Sequence, residues 1–315
     1  MAGSRLVSPL EQHLAEYLAV RRAMGYKLAR AGKLLPQFTT WMAERDEHLI
    51  TTEVALRWAT LPPATGSNWH RQRLTVVRGF ATHLHAIDPV HEIPPADLLP
   101  WRPRRAVPYL YTDAEILALM DSATVIPTPH RAATMRTLIG LLAVTGMRVG
   151  EAIRLDRSDI DLANELLIVR DSKFGKSREV ALHPSTIITL QRYLARRDRP
   201  IPSEPTAAVF TSAAGTRLSY CNVHLAFKRI VTHAGLRPRA ASCRPRPHDL
   251  RHTFAVNTLL DAYRTSENRA IRLPLLSTYL GHVHPGSTYW YLQAAPELLA
   301  LASDRLQQHL EGAGR

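Results

Sequence analysis

Cysteine is nearly missing from this chain: Cys221 and Cys243 are the only two in 315 residues. They build neither a disulfide framework nor a zinc quartet, which points to a reducing, cytoplasmic setting. Lysine is scarce too, 5 residues against 35 arginines. Long apolar runs are lacking. The most apolar stretch, Leu138 to Val144, is far too short to span a bilayer, and no apolar signal core follows Met1, so no membrane partner is expected. Repeats and low-complexity tracts do not occur, which excludes solenoids and arrays.

What is abundant is positive charge. Forty Lys+Arg stand against 27 Asp+Glu, a formal net charge of +13. Divided at residue 107, the chain has 14 basic against 9 acidic residues before the cut and 26 against 18 after it. Both parts are positive, so the basicity is not a tail. A polyanion partner fits such a surface, although a basic protein without one would have the same charge.

Residues 1–87 read as a helical domain. Leu10, Leu14, Tyr17 and Leu18 line one apolar face; Leu34, Leu35, Phe38, Trp41 and Met42 line a second. Thr52 is the expected N-cap of a third helix and Ser67 of a fourth. Arg71, Arg73 and Arg78 fall among the polar positions of that fourth helix. They read either as a grip on a nucleic-acid backbone or as an ordinary solvated face. Residues 88–108 hold six prolines and three arginines, Arg102, Arg104 and Arg105. Helices do not continue through such a run, so it reads as a linker whose arginines are further candidates for phosphate contact.

Residues 109–315 read as a second domain, mainly α with a small antiparallel sheet. Thr112 and Glu115 form a capping box. A long apolar helix runs from about Ala132 to Thr145, and Gly146 is placed to end it. A new helix then carries Arg148 and Glu151. Arg148 is either half of a structural ion pair with Glu151 or an anion ligand. Strand-like runs at Leu166–Val169 and Glu179–Leu182 flank a hairpin tip with Lys173 and Lys176. In so Arg-rich a chain, lysines here suit a proton donor, because lysine can lose its proton and arginine effectively cannot.

The densest stretch is Pro247 to Leu292. It opens P-H-D-L-R-H-T-F and closes L-G-H-V-H-P-G-S-T-Y-W-Y-L. His248 and Arg251 are three apart and share a helical face, whereas His252 should point about 100° away from Arg251. His248 and His252 also have the spacing of a helical zinc pair, but Asp249 stands where the general-base glutamate of that motif belongs. Gly281 can end a helix just before His282. Tyr289 and Tyr291 are two apart, so only one of them faces a given site.

In this combination and order, residues 108–300 resemble the catalytic domain of the tyrosine recombinase (phage integrase) family. The resemblance rests on T-G-M-R-V-G-E with Arg148, Lys173 in the hairpin, H-D-L-R-H with His248 and Arg251, L-G-H with His282, and Tyr291 at the family's spacing. Residues 1–87 look like that family's helical core-binding domain, mainly by length and helicity. The resemblance implies a two-domain clamp on double-stranded DNA at specific sites, nucleoid-associated in a bacterium, monomeric or weakly dimeric off DNA and tetrameric on synapsed DNA. It implies a phosphate clamp of Arg148 and Arg251, Tyr291 as nucleophile, Lys173 as general acid, and His248 and His282 assisting, with neither metal nor cofactor. The terminal helix expected at 296–310, with Leu298, Ala302, Leu306 and Leu310 on one stripe, packs on a neighbouring protomer in the family or folds back on its own domain. Two departures stand out: a longer interval from Arg251 to His282, with a polar run around Thr265 to Arg272, and Tyr289-Trp290 before the nucleophile. Rival readings are a type IB topoisomerase-like nicking-closing enzyme, a non-catalytic DNA-binding regulator and a metal-dependent nuclease.

Overall fold

The computed structural model describes residues 9–61, 66–100, 106–170, 177–201, 207–265 and 269–281, together with Gln307. The chain divides into two compact units, Met1–Arg105 and Ala106–Arg315.

In the first unit, α1 (Pro9–Ala23), α2 (Ala31–Ala43), α3 (Thr52–Thr60) and α4 (Ser67–Ile87) form a bundle. The apolar stripes of the sequence meet in one core that includes Leu14, Leu35, Phe38, Trp58, Val77 and Phe80. The Phe38 ring meets Trp58 edge-on, with centroids 5.1 Å apart. Caps differ from expectation by one residue. The Thr51 hydroxyl, not that of Thr52, accepts from the Val54 amide at 3.2 Å, and α4 begins at Ser67 itself behind Gly66. Adjacent threonines have equal capping chemistry, so local sequence does not choose between them.

Arg73 is a correction. It is not on a solvated face but buried, with its guanidinium 3.6 Å from the centre of the Trp58 ring and Nη2 donating to the Trp58 carbonyl at 2.8 Å. Committed to that ring and carbonyl, it braces α4 against α3 instead of facing a polyanion. Arg71 donates to the Leu99 carbonyl at 3.3 Å, and Arg78 is half-buried. The first half of the proline-rich segment is fastened to the bundle. Glu92 N donates to Ile50 O at 2.8 Å, Ile50 N to His91 Nδ1 at 3.1 Å and Thr52 N to Glu92 Oε2 at 2.7 Å. Arg102, Arg104 and Arg105 lie outside the described residues.

The second unit is mainly helical with a small antiparallel sheet. Its helices are α5 (Asp113–Asp121), α6 (Pro129–Thr145), α7 (Val149–Arg154), α8 (Pro184–Leu194), α9 (Tyr220–His233), α10 (Asp249–Thr265) and α11 (Arg269–Leu280). The sheet has the order β1 (Ile160–Asp161), β2 (Leu166–Val169), β3 (Arg178–Ala181). The apolar α6 lies at the centre, packed by α5, α8, α9 and α10. The expected capping box opens α5: Thr112 Oγ1 accepts from Glu115 N at 3.1 Å, and Thr112 N donates to Glu115 Oε2 at 2.8 Å. Gly146 ends α6 at φ +58°, where a Cβ would lie 2.3 Å from the Phe254 ring. Glycine is therefore required twice over, by backbone conformation and by space. The polar run at 265–272 is helical from Arg269, where α11 begins. That helix packs on α10 through Leu259, Leu276 and Leu280. Apart from Gln307, the expected terminal helix lies outside the described residues.

Candidate active site

Three chain segments converge where α6, α10 and α11 meet. Gly146 turns the chain out of α6, and Arg148 follows as the N-cap of α7. Its backbone amide donates to Glu151 Oε2 at 2.9 Å, and its Nη1 to Glu151 Oε1 at 2.7 Å. The ion pair foreseen from the sequence is present, yet a quarter of the Arg148 side chain stays open to solvent, against 1% of Glu151.

Arg251, in the first turn of α10, is only 2% exposed. Nη1 donates to the Gly146 carbonyl at 2.8 Å and Nη2 to the Leu280 carbonyl at 2.7 Å. Both acceptors sit at helix C-termini, where carbonyls lack intrahelical partners and the dipole favours a cation. That is why the fold tolerates a guanidinium at this depth. Arg148 Nη2 reaches the next carbonyl, Gly281, at a longer 3.4 Å. The two clamp candidates, 103 residues apart in sequence, thus touch consecutive carbonyls at the end of α11.

His248 precedes α10 and is exposed. Partial burial and the charges of Arg251, Arg148 and Arg246 push its pKa down to about 4. The ring is neutral at physiological pH, the form that accepts a proton. His252, expected to point elsewhere, lies edge-on to His248 with ring centroids 5.0 Å apart, as i,i+4 spacing allows. Asp249 is engaged by Arg246. Fully buried, it accepts from Arg246 Nε at 3.0 Å, Nη2 at 2.7 Å and the backbone amide at 3.1 Å. No group of three metal-ligating side chains is placed to hold an ion among the described residues.

Sequence reasoning missed Arg178. It opens β3, and its Nη1 and Nη2 donate to Glu151 Oε1 and Oε2 at 3.2 and 2.8 Å. One buried carboxylate therefore serves two arginines, and their hydrogen bonds and charges, acting against its burial, hold its pKa down to about 2. The signal was present. Arg178 is paired with Val169 across the ladder and lies two residues before Val180, itself opposite Leu167. Alternation puts Arg178 on the sheet face that buries all three. Starting the strand at Glu179 left it assigned to the hairpin tip. Lys173, Lys176, His282, Tyr289 and Tyr291 lie outside the described residues.

Residues 110–297 match the Phage integrase family. The protein y4rB of Sinorhizobium fredii, designated an integrase/recombinase, is 41% identical over 312 residues, covering 97% of this chain and 99% of its own. The tyrosine recombinase XerC of Chlamydia trachomatis is 27% identical over 241 residues, 76% of this chain and 71% of its own. Among solved structures, the Tn1549 transposon integrase in complex with transposon right end DNA superposes with a TM-score of 0.61 at 17% identity, covering 94% of this chain and 99% of its own. A lambda integrase dimer bound to a COC′ core site gives 0.60 at 20% identity, over 90% and 94%. These two likenesses concern the fold, whereas kinship rests on the sequence matches. Together with arginines 148 and 251 converging on one helix end beside His248, they establish that this chain belongs to the phage integrase family of tyrosine recombinases, enzymes that cleave and rejoin DNA.

Proposed function

We propose that the protein is a site-specific recombinase working through a 3′-phosphotyrosine intermediate, with Tyr291 as nucleophile. The observation that carries this reading is the shared grip of Arg148 and Arg251 on the Leu280–Gly281 end of α11. The chain continues from there directly into His282 and, nine residues later, Tyr291. Two guanidiniums suit the non-bridging oxygens of a scissile phosphate, where negative charge grows as phosphorus becomes pentavalent. The Tyr291 oxygen attacks phosphorus and the P–O5′ bond breaks. His248, neutral, takes the phenol proton. Lys173 gives a proton to the departing 5′ oxygen, and His282 hydrogen-bonds the phosphate. Attack by a 5′-hydroxyl from a second duplex reverses each step and exchanges strands. The phosphotyrosine bond conserves the energy of the phosphodiester, so no nucleotide cofactor enters the balance.

The N-terminal unit would hold the DNA backbone through Arg71, Arg78 and the linker arginines. A tetramer on two synapsed sites follows from exchange between duplexes. The decisive experiment uses a nicked suicide duplex carrying the protein's own recombination site. Wild type should accumulate a covalent protein–DNA adduct that Tyr291→Phe does not form. An adduct that persists in Tyr291→Phe and vanishes in Tyr289→Phe would move the nucleophile. Relaxation of any supercoiled plasmid, irrespective of site, would favour a topoisomerase.

A further inference from the structure

We infer that Arg178 is a positioning residue that keeps the clamp cationic by sharing the charge of Glu151. The inference rests on the phosphate-clamp reading of Arg148. Glu151 fixes Arg148 through both the backbone amide and Nη1. Acting alone, that carboxylate would carry a cost: a one-to-one pair in a buried setting cancels most of the field that Arg148 offers to a phosphate. Arg178 removes the cost. It places a second guanidinium on the same carboxylate, bidentate and on the side away from solvent, with only 12% of its side chain exposed. Two cations now share one anion, and a net positive charge remains at the partly open member, Arg148.

Three observations separate this from an ordinary stabilising pair. Arg178 occupies the buried face of a three-stranded sheet, in line with Val180 and opposite Val169, where an apolar side chain would serve packing better. Its Nε is buried and has no hydrogen-bond partner among the described residues, so the site is not optimised for burying a guanidinium. Its Nη1 also lies 3.3 Å from where a Cβ on Gly281 would project, which puts the second cation directly beneath the helix end that Arg148 and Arg251 hold.

The test uses inorganic phosphate as probe, followed through its effect on the His248 imidazole resonances of the full chain. Arg178→Gln should bind phosphate about tenfold more weakly than wild type, the scale of one unit charge at this range. Arg178→Lys should recover much of the loss, because it restores charge without the bidentate geometry. The double variant Arg178→Gln/Glu151→Gln should also recover phosphate affinity, since the uncompensated carboxylate is gone. A purely structural role predicts the opposite, the double variant being as weak as the single or weaker. Unchanged phosphate affinity in Arg178→Gln, or no recovery in the double variant, overturns the proposal. No phosphate response in wild type overturns it as well, along with the clamp. Phosphate binding that behaves as stated while the suicide duplex yields no adduct would instead leave the charge-sharing intact and reject the phosphotyrosine reading.

Discussion

The two units bury arginine in opposite ways. In the N-terminal bundle, Arg73 lies over the Trp58 ring and donates to that residue's carbonyl. Its partners are a π-face and a main-chain oxygen on one neighbouring helix, and the interaction is spent on holding α4 to α3. In the catalytic unit, Arg148, Arg178 and Arg251 come from three separate elements and end on two helix termini and one shared carboxylate. Burial is thus not a measure of structural commitment. What matters is where the cation is directed. Arg73 is turned onto a ring and a carbonyl of its own bundle, whereas two guanidiniums sharing one carboxylate leave a net positive charge beside the partly open Arg148.

The sharpest way to break this contrast is to truncate a buried arginine in the second unit. Arg251→Ala should lower the rate of adduct formation by about a hundredfold or more. It should also destabilise the fold, because the Gly146 and Leu280 carbonyls lose their donors. Single-turnover cleavage alongside a denaturant melt separates the two effects, and a variant with unimpaired cleavage would remove Arg251 from the clamp. Next in size is Glu151→Gln, with a stability loss of about 3 kcal/mol at pH 6 from breaking a buried pair. The folded-state pKa of Glu151 is depressed to about 2 from an ordinary carboxylate value. Its contribution is therefore complete above about pH 4.5 and lost as pH falls towards 2. The gap between wild type and Glu151→Gln in urea melts should close over that window. The smallest effect is expected from Arg73→Leu, about 1–2 kcal/mol. Since its partners do not titrate, that difference should stay flat from pH 6 to pH 3. A gap that closes with acid would show that a carboxylate shares the Arg73 interaction.

What the sequence disclosed followed the range of the interaction. The Thr112–Glu115 box and the Gly146 stop are written within a few residues, and both formed where expected. So did the apolar spacings of α1 and α2. Arg148 and Arg251 were legible through motifs of several residues each, although nothing local said that they would meet at one helix end. Arg73 misled because helical periodicity describes one helix at a time, and its polar position there faces Trp58 on another. Arg178 was obscured by composition as well. One arginine among 35 attracts no notice, and its carboxylate lies 27 residues upstream.

The hold on the end of α11 has a bearing on how this chain can change. Arg251 and Arg148 engage main-chain oxygens at Leu280 and Gly281. Every amino acid supplies such an oxygen, so side chains along the solvent face of α11 can be replaced freely without disturbing the grip. Gly281 is the exception, with φ at +68° and Arg178 packed against it. Drift along the solvent face of this helix is thus tolerated, and it is blocked at the one position where the chain leaves the helix for His282.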